Sequence, residues 1–112
     1  MVTEEDKEFL GQFQSYQQQM QVILIQKENL KLQILEIEKA LEELESSKEK
    51  EAYKIAGPIM IKKNSEDIKT ELKERKDNFE LRTKTLEKAE ERITNKLKEM
   101  EPRLRKMIEK QG

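Results

Sequence analysis

Phe9, Phe13, Tyr16, Met20, Ile23, Lys27, Leu30, Ile34, Ile37, Leu41 and Leu44 follow one another in alternating steps of four and three, and only Lys27 is not apolar. Apolar positions spaced at 3.5 residues over about five heptads form one stripe that faces a partner helix along its length, the requirement for left-handed coiled-coil packing. The spacing predicts a helix over residues 4–46, with Thr3 and Asp6, three residues apart, as its start cap.

A second period runs through Leu72, Phe79, Leu86, Ile93, Met100 and Met107, each seven residues after the last. Ile68, Ala89, Leu97 and Leu104 fill the alternate position unevenly, and Arg75 and Arg82 fall where that position would otherwise be apolar. Their stems are expected along the seam, with the guanidinium groups reaching solvent or a carboxylate. Asn64 or Ser65, followed by Glu66 and Asp67, starts this helix, which is predicted over residues 65–110. Glu71 with Arg75, Glu80 with Lys84, Glu99 with Arg103 and Glu101 with Arg105 stand four apart in the favourable order. Pro102 removes one backbone donor near the end and can kink or fray the helix there.

Folding the chain back on its middle pairs residues whose numbers sum to about 112, so that Leu41 meets Leu72, Met20 meets Ile93 and Phe13 meets Met100, while Lys27 comes near Leu86. The expected fold is therefore mainly α, a long antiparallel two-helix coiled coil of roughly 55 to 65 Å at 1.5 Å per residue. At the connection, residues 52–63 change to period two. Tyr53, Ile55, Ile59 and Ile61 alternate with Lys54, Ala56, Met60 and Lys62 around Gly57-Pro58, which predicts one short β-hairpin. A lone two-stranded ribbon is marginal in water and its edges invite further strands, so association through Tyr53, Ile55, Gly57, Ile59 and Ile61 into an intersubunit β-barrel is expected. The plainer alternative is a capped surface hairpin resting on its own helices.

Composition narrows the function. Lys+Arg number 23 and Asp+Glu 24, a net charge of -1, so the charges are mixed and give neither nucleic acid nor an anionic membrane a one-signed field. The small basic groups Lys62-Lys63 and Arg103-Leu104-Arg105-Lys106 read as solvated helix ends. With no His and no Cys, and no Gly-rich phosphate loop, the usual general bases, soft metal ligands and nucleotide cradles are missing, and no enzyme activity, metal or cofactor is expected. Residues 1–8 are acidic and polar, and residues 9–26 carry seven glutamines, so neither a signal peptide nor a membrane span is expected.

Gln17-Gln18-Gln19-Met20-Gln21, Ala40-Leu41-Glu42-Glu43-Leu44, the strand block Tyr53-Lys54-Ile55-Ala56-Gly57-Pro58-Ile59-Met60-Ile61-Lys62 and Glu71-Leu72-Lys73-Glu74-Arg75 together resemble the beta-type subunit of prefoldin, the ATP-independent holding chaperone of archaea and eukaryotes. The resemblance covers nearly the whole chain as a single prefoldin-type domain over residues 1–112. The family's alpha-type subunit carries two β-hairpins, whereas about twenty residues separate the stems here, room for one. The resemblance implies a cytoplasmic hexamer of two alpha-type and four beta-type subunits, with the hairpins joined in a double β-barrel. Unfolded client proteins would be held at the coiled-coil tips and passed to a group II chaperonin.

The tip positions that this likeness implies are Phe9, Leu10, Phe13, Leu104, Met107 and Ile108. Independently, residues 9–26 carry no charge in a chain that is 42% charged, and Leu10, Val22, Leu24 and Ile25 add apolar surface beyond the stripe. An apolar, neutral surface with Met20, Met100 and Met107 can repack around unlike sequences, although ordinary coiled-coil core is the plainer account of each methionine. Val22, Leu24 and Ile25 alternatively contact a neighbouring subunit. The rival reading is a structural coiled-coil scaffold or adaptor that joins specific partners through its ribbon.

Overall fold

The first helix, α1 (Glu4–Ser47), begins where two orphan amides are satisfied reciprocally: the Asp6 N–H donates to Thr3 Oγ1 at 3.0 Å and the Thr3 N–H donates to Asp6 Oδ2 at 3.3 Å. Glu4 and Glu5 add charge of the sign that a helix start favours. At the other end, Ser46 and Ser47 donate to the carbonyls of Glu42 and Leu44, and Lys48 turns the chain out at a φ of 58°. Among the described residues no helix is long and apolar enough to cross a membrane.

The chain is seen in a computed structural model that describes residues 2–111. After α1 come β1 (Glu51–Ala56) and β2 (Ile59–Asn64), an antiparallel pair, and then α2 (Ser65–Gln111). Ala56 pairs with Ile59, so the loop is Gly57-Pro58 alone. Gly57 has a φ of 58°, and the ring of Pro58 holds its own φ near −65°. A positive φ followed by a negative one is the type II′ pattern, whose twist suits the flanking strands. Asn64 then caps α2 by accepting the Glu66 N–H at 2.8 Å, and the Ser65 N–H donates to the Lys50 carbonyl at 2.8 Å, which ties the helix start to the chain entering β1. Ser65 is only 2% exposed, and its hydroxyl has no partner among the described residues.

The chain packs as two units, one made of the residues up to Glu28 with those from Lys84 onward, the other of Asn29–Thr83. In the first, Phe9, Ile23 and Ile93 are buried, and Phe13, Tyr16, Met20, Leu86, Leu97 and Met100 are half-buried. The Lys27 ammonium reaches Glu90, one turn beyond Leu86, at 2.6 Å, and this charge-assisted bond raises the Lys27 pKa. In the second unit, Leu30, Ile37 and Ile68 are buried and Leu41, Leu44, Leu72 and Phe79 are half-buried. Lys76 meets Glu38, and Lys69 meets Glu45, both at 3.3 Å. Within each unit partners run up α1 as they run down α2, which makes the helices antiparallel.

Two expectations for α2 are corrected. Arg75 and Arg82 lie outside the seam, exposed, and both guanidinium groups stack on Phe79, at 5.8 and 5.9 Å from its ring centroid. The alternate seam position is occupied one residue later, by half-buried Lys76, Thr83 and Glu90. Thr83 hides its hydroxyl by donating to the Phe79 carbonyl at 2.9 Å, and the other two polar side chains find ion partners on α1. Of the spaced pairs, Glu101 does bond Arg105. Glu71 turns to the ribbon and Arg103 to Asp6, because groups off the helix compete with those along it, while Glu80 pairs with Lys76 one turn back along α2 itself. The helix runs through Pro102.

Candidate functional site

Two places carry the residues of interest: the helix ends of the first unit and the ribbon of the second. At the helix ends, Phe9 is 8% exposed and the Arg103 guanidinium lies 4.5 Å from its ring centroid. The same guanidinium reaches Asp6 Oδ1 at 3.5 Å. Backbone and side-chain hydrogen bonds from Thr3, with Arg103 beside them, hold the Asp6 pKa below the usual carboxylate range. Arg103, still exposed, thus has two partners on α1, a ring and a carboxylate, that its neighbours in the sequence do not suggest.

Phe13, Gln17, Leu97 and Leu104 line a shallow groove of ≈ 290 Å³, rimmed by Lys98 and Glu101. Leu10 and Met107 are half-buried, and Ile108 stands 64% exposed. On the same unit, Val22 and Ile25 are exposed along with all seven glutamines of residues 9–26, of which Gln19 donates to Ser15. This stretch presents side-chain amides and aliphatic groups with no charge among them.

In the ribbon, Tyr53 pairs with Lys62, Ile55 with Met60, Lys54 with Ile61 and Ala56 with Ile59. Directly opposed residues share a face. Tyr53, Ile55 and Met60 therefore lie on one face, and Ile59 and Ile61 lie on the other with Ala52 and Ala56. The expectation of a single apolar set, with Met60 counted among the alternate positions, is corrected by this register, because a two-residue loop places Met60 opposite Ile55. Exposures of 63% for Tyr53, 73% for Ile55, 64% for Met60 and 59% for Ile59 leave both faces open. The second face is anchored at one end: Lys63 and Lys54 reach the two Glu71 carboxylate oxygens at 2.7 and 3.0 Å, and these bonds, Lys63 first, depress the Glu71 pKa. Among the described residues no strand lies beside the outer edges of β1 and β2 in the two-stranded sheet.

Two helices joined by one such ribbon are a particular architecture, and the comparison with known proteins agrees with it: the sequence matches the family described as Prefoldin subunit over residues 7–111. The chain belongs to the prefoldin subunit family. Its prefoldin relatives include the protein named Prefoldin subunit beta of Thermococcus kodakarensis, 39% identical over 92 residues that span 81% of this chain and 79% of the relative. The subunit of the same name from Archaeoglobus fulgidus is 34% identical over 104 residues, 92% of this chain and 90% of the relative. The crystal structure of the prefoldin beta subunit from Thermococcus strain KS-1 superposes with a TM-score of 0.82 at 33% identity, covering 96% of this chain and 95% of that one. The likeness to prefoldin noted in the sequence is thereby shown, together with its two-helix, one-hairpin fold.

Three features of this prefoldin chain were missed in the sequence: the Arg103 stack on Phe9, the double hold of Glu71 on the ribbon and the polar half of the α2 seam. Stepping back from Met107 by alternating three and four reaches Glu90, Thr83 and Lys76, so the last had a signal. The first two depend on which groups meet across the fold, and no local spacing announces them.

Proposed function

We propose that this chain is the beta-type subunit of an ATP-independent chaperone in the cytoplasm, which holds unfolded or nascent polypeptides at its coiled-coil tips, prevents their aggregation and delivers them to a group II chaperonin. Four such chains would join two alpha-type subunits through their ribbons, with Tyr53, Ile55, Gly57, Ile59 and Ile61 at the joint. Phe9, Leu10, Phe13, Leu104, Met107 and Ile108 would form the client surface.

The observation that carries the reading is the gathering of Phe13, Leu97 and Leu104 around one apolar groove, whose α1 side belongs to a stretch, residues 9–26, that is free of charge. An unfolded chain offers scattered apolar side chains and many charges of both signs. A neutral apolar surface takes up the first and is indifferent to the second. Membership of the prefoldin family supports the same assignment. No step in this mechanism consumes nucleotide; the energy of capture comes from apolar burial.

The test is light scattering from a guanidine-unfolded protein diluted into buffer with this chain, reconstituted with an alpha-type partner and without ATP. Suppression is expected near one hexamer per client, and it should be lost when the first ten and last ten residues are removed or when Leu10, Leu104 and Ile108 are changed to Ser. A scaffold with specific partners would tolerate those changes. Full suppression by a truncated but assembled complex would overturn the tip assignment.

A further inference from the structure

Five of the six tip residues are turned inward. Phe9 is 8% exposed and Leu10, Phe13, Leu104 and Met107 are half-buried, which leaves Ile108 as the one open member. Surface that is to receive apolar side chains from another polypeptide must first be uncovered. Which part of the hairpin end gives way is settled by the backbone. Pro102 lies inside α2 and has no N–H, so the Lys98 carbonyl loses its helical partner and the proline ring crowds it. Asp6, by contrast, is locked by the reciprocal bonds with Thr3. The start of α1 is the fixed side and the end of α2 the yielding one.

The residue after the proline is Arg103, which crosses to α1 and touches it twice, at the Phe9 ring and at Asp6. We propose that α2 beyond Pro102 is a flap latched shut by Arg103, and that its opening uncovers Phe9, Leu10 and Phe13 together with Leu104 and Met107 as the client surface. This rests on the tip assignment above and adds its regulation. Because Arg103 and Leu104 are adjacent and Met107 is one turn on, swinging the segment outward removes the cation from the ring and presents both halves of the apolar set at once. The latch is built to be light. Its ion pair joins side chains that are 49% and 26% exposed, and a partly solvated cation–π contact adds little more, so the two contacts together shift the opening equilibrium by about tenfold. A latch of that size keeps the apolar surface covered when no client is present, yet yields to a ligand that binds the open form moderately better than the closed one.

The test pairs two substitutions of opposite sign in the full chain, assembled with its alpha-type partner. Arg103→Gln removes the ring contact and the ion pair. Hydrogen exchange of the amides after Pro102 is expected to speed up about tenfold, with holding of an unfolded protein at limiting chaperone concentration increased. Pro102→Ala restores the missing donor and should slow the same amides and reduce holding. Lys106→Gln is the control: it makes the same change of charge at an exposed position of the same segment, so neither readout should move. Equal exchange in the Arg103 and Lys106 variants would overturn the latch. Faster exchange without better holding would overturn its link to capture. Neither result bears on the tip assignment, whose own failure is read from holding that survives removal of the tips.

Discussion

Replacing Tyr53 and Ile55 by Ser disturbs one face of the ribbon, and replacing Ile59 and Ile61 by Ser disturbs the other. If the two open faces are both covered on assembly, both pairs must weaken it. Full burial of a large apolar side chain is worth about 1.5–3 kcal/mol, and only the part still exposed in the single chain remains to be gained. For Ile55, 73% exposed, that is about 1–2 kcal/mol, and for Ile59, 59% exposed, and Ile61, 42% exposed, together about 1.5–3 kcal/mol. Each pair thus costs every ribbon roughly 1.5 to 4 kcal/mol, or one to three powers of ten in its association constant. Since one assembly would contain several ribbons, the mass measured by light scattering at micromolar concentration should fall from a hexamer to smaller species in both variants. Far-UV circular dichroism should change little, because the helices of each unit bury their own seams. A mass unchanged in the Tyr53 and Ile55 variant would mean that one face stays in water within the complex, and unchanged masses in both would remove the ribbon as the joint altogether.

Ser65→Ala deletes a hydroxyl that is buried without a partner, so it should stabilise the chain by about 1 kcal/mol, seen as a higher melting temperature; a loss of stability would contradict the unpaired state of that oxygen. Gly57→Ala should cost about 1–2 kcal/mol through its φ of 58° alone, since nothing lies within 4 Å of the added carbon, and a matching loss in the melt of the assembly checks it. Glu71 titrates lower when folded than unfolded, so the contribution of its ties to Lys63 and Lys54 is complete above the ordinary glutamate value near about pH 4.3 and fades as pH falls through the depressed one. A Glu71→Gln chain should therefore show a flatter acid limb in its stability profile over that window.

Much of the architecture could be read from spacing. The α1 seam was visible because ten of its eleven members are apolar, and each of those ten is buried or half-buried. The Thr3 and Asp6 cap and the Gly57-Pro58 loop followed from residue types that satisfy one backbone geometry and few others. The α2 seam was harder. Its alternate position holds Lys76, Thr83 and Glu90, whose polarity hides them from a search for apolar residues, and this moved attention one step back to Arg75 and Arg82. Met60 went to the wrong set for a different reason: alternation along each strand says nothing of how two strands align, and a loop of two residues decides that. Arg103 escaped because its partners, Phe9 and Asp6, lie at the other end of the chain, and in the sequence it stands beside Arg105 and Lys106 as one more surface cation.

The glutamine side chains of α1 have a directional consequence. Each primary amide presents an N–H and a C=O side by side, the same two groups as a peptide bond, and each can turn about its own torsions to exchange them. A strand edge accepts a neighbour only in register and in one of two orientations, whereas exposed amides of this kind can bond a backbone running either way. Carrying no charge, they also offer the same bonds at low and at high ionic strength. A surface of this kind has no grammar for sequence or polarity of the chain laid along it, which is what a protein must possess if it is to meet polypeptides that have not yet acquired a shape.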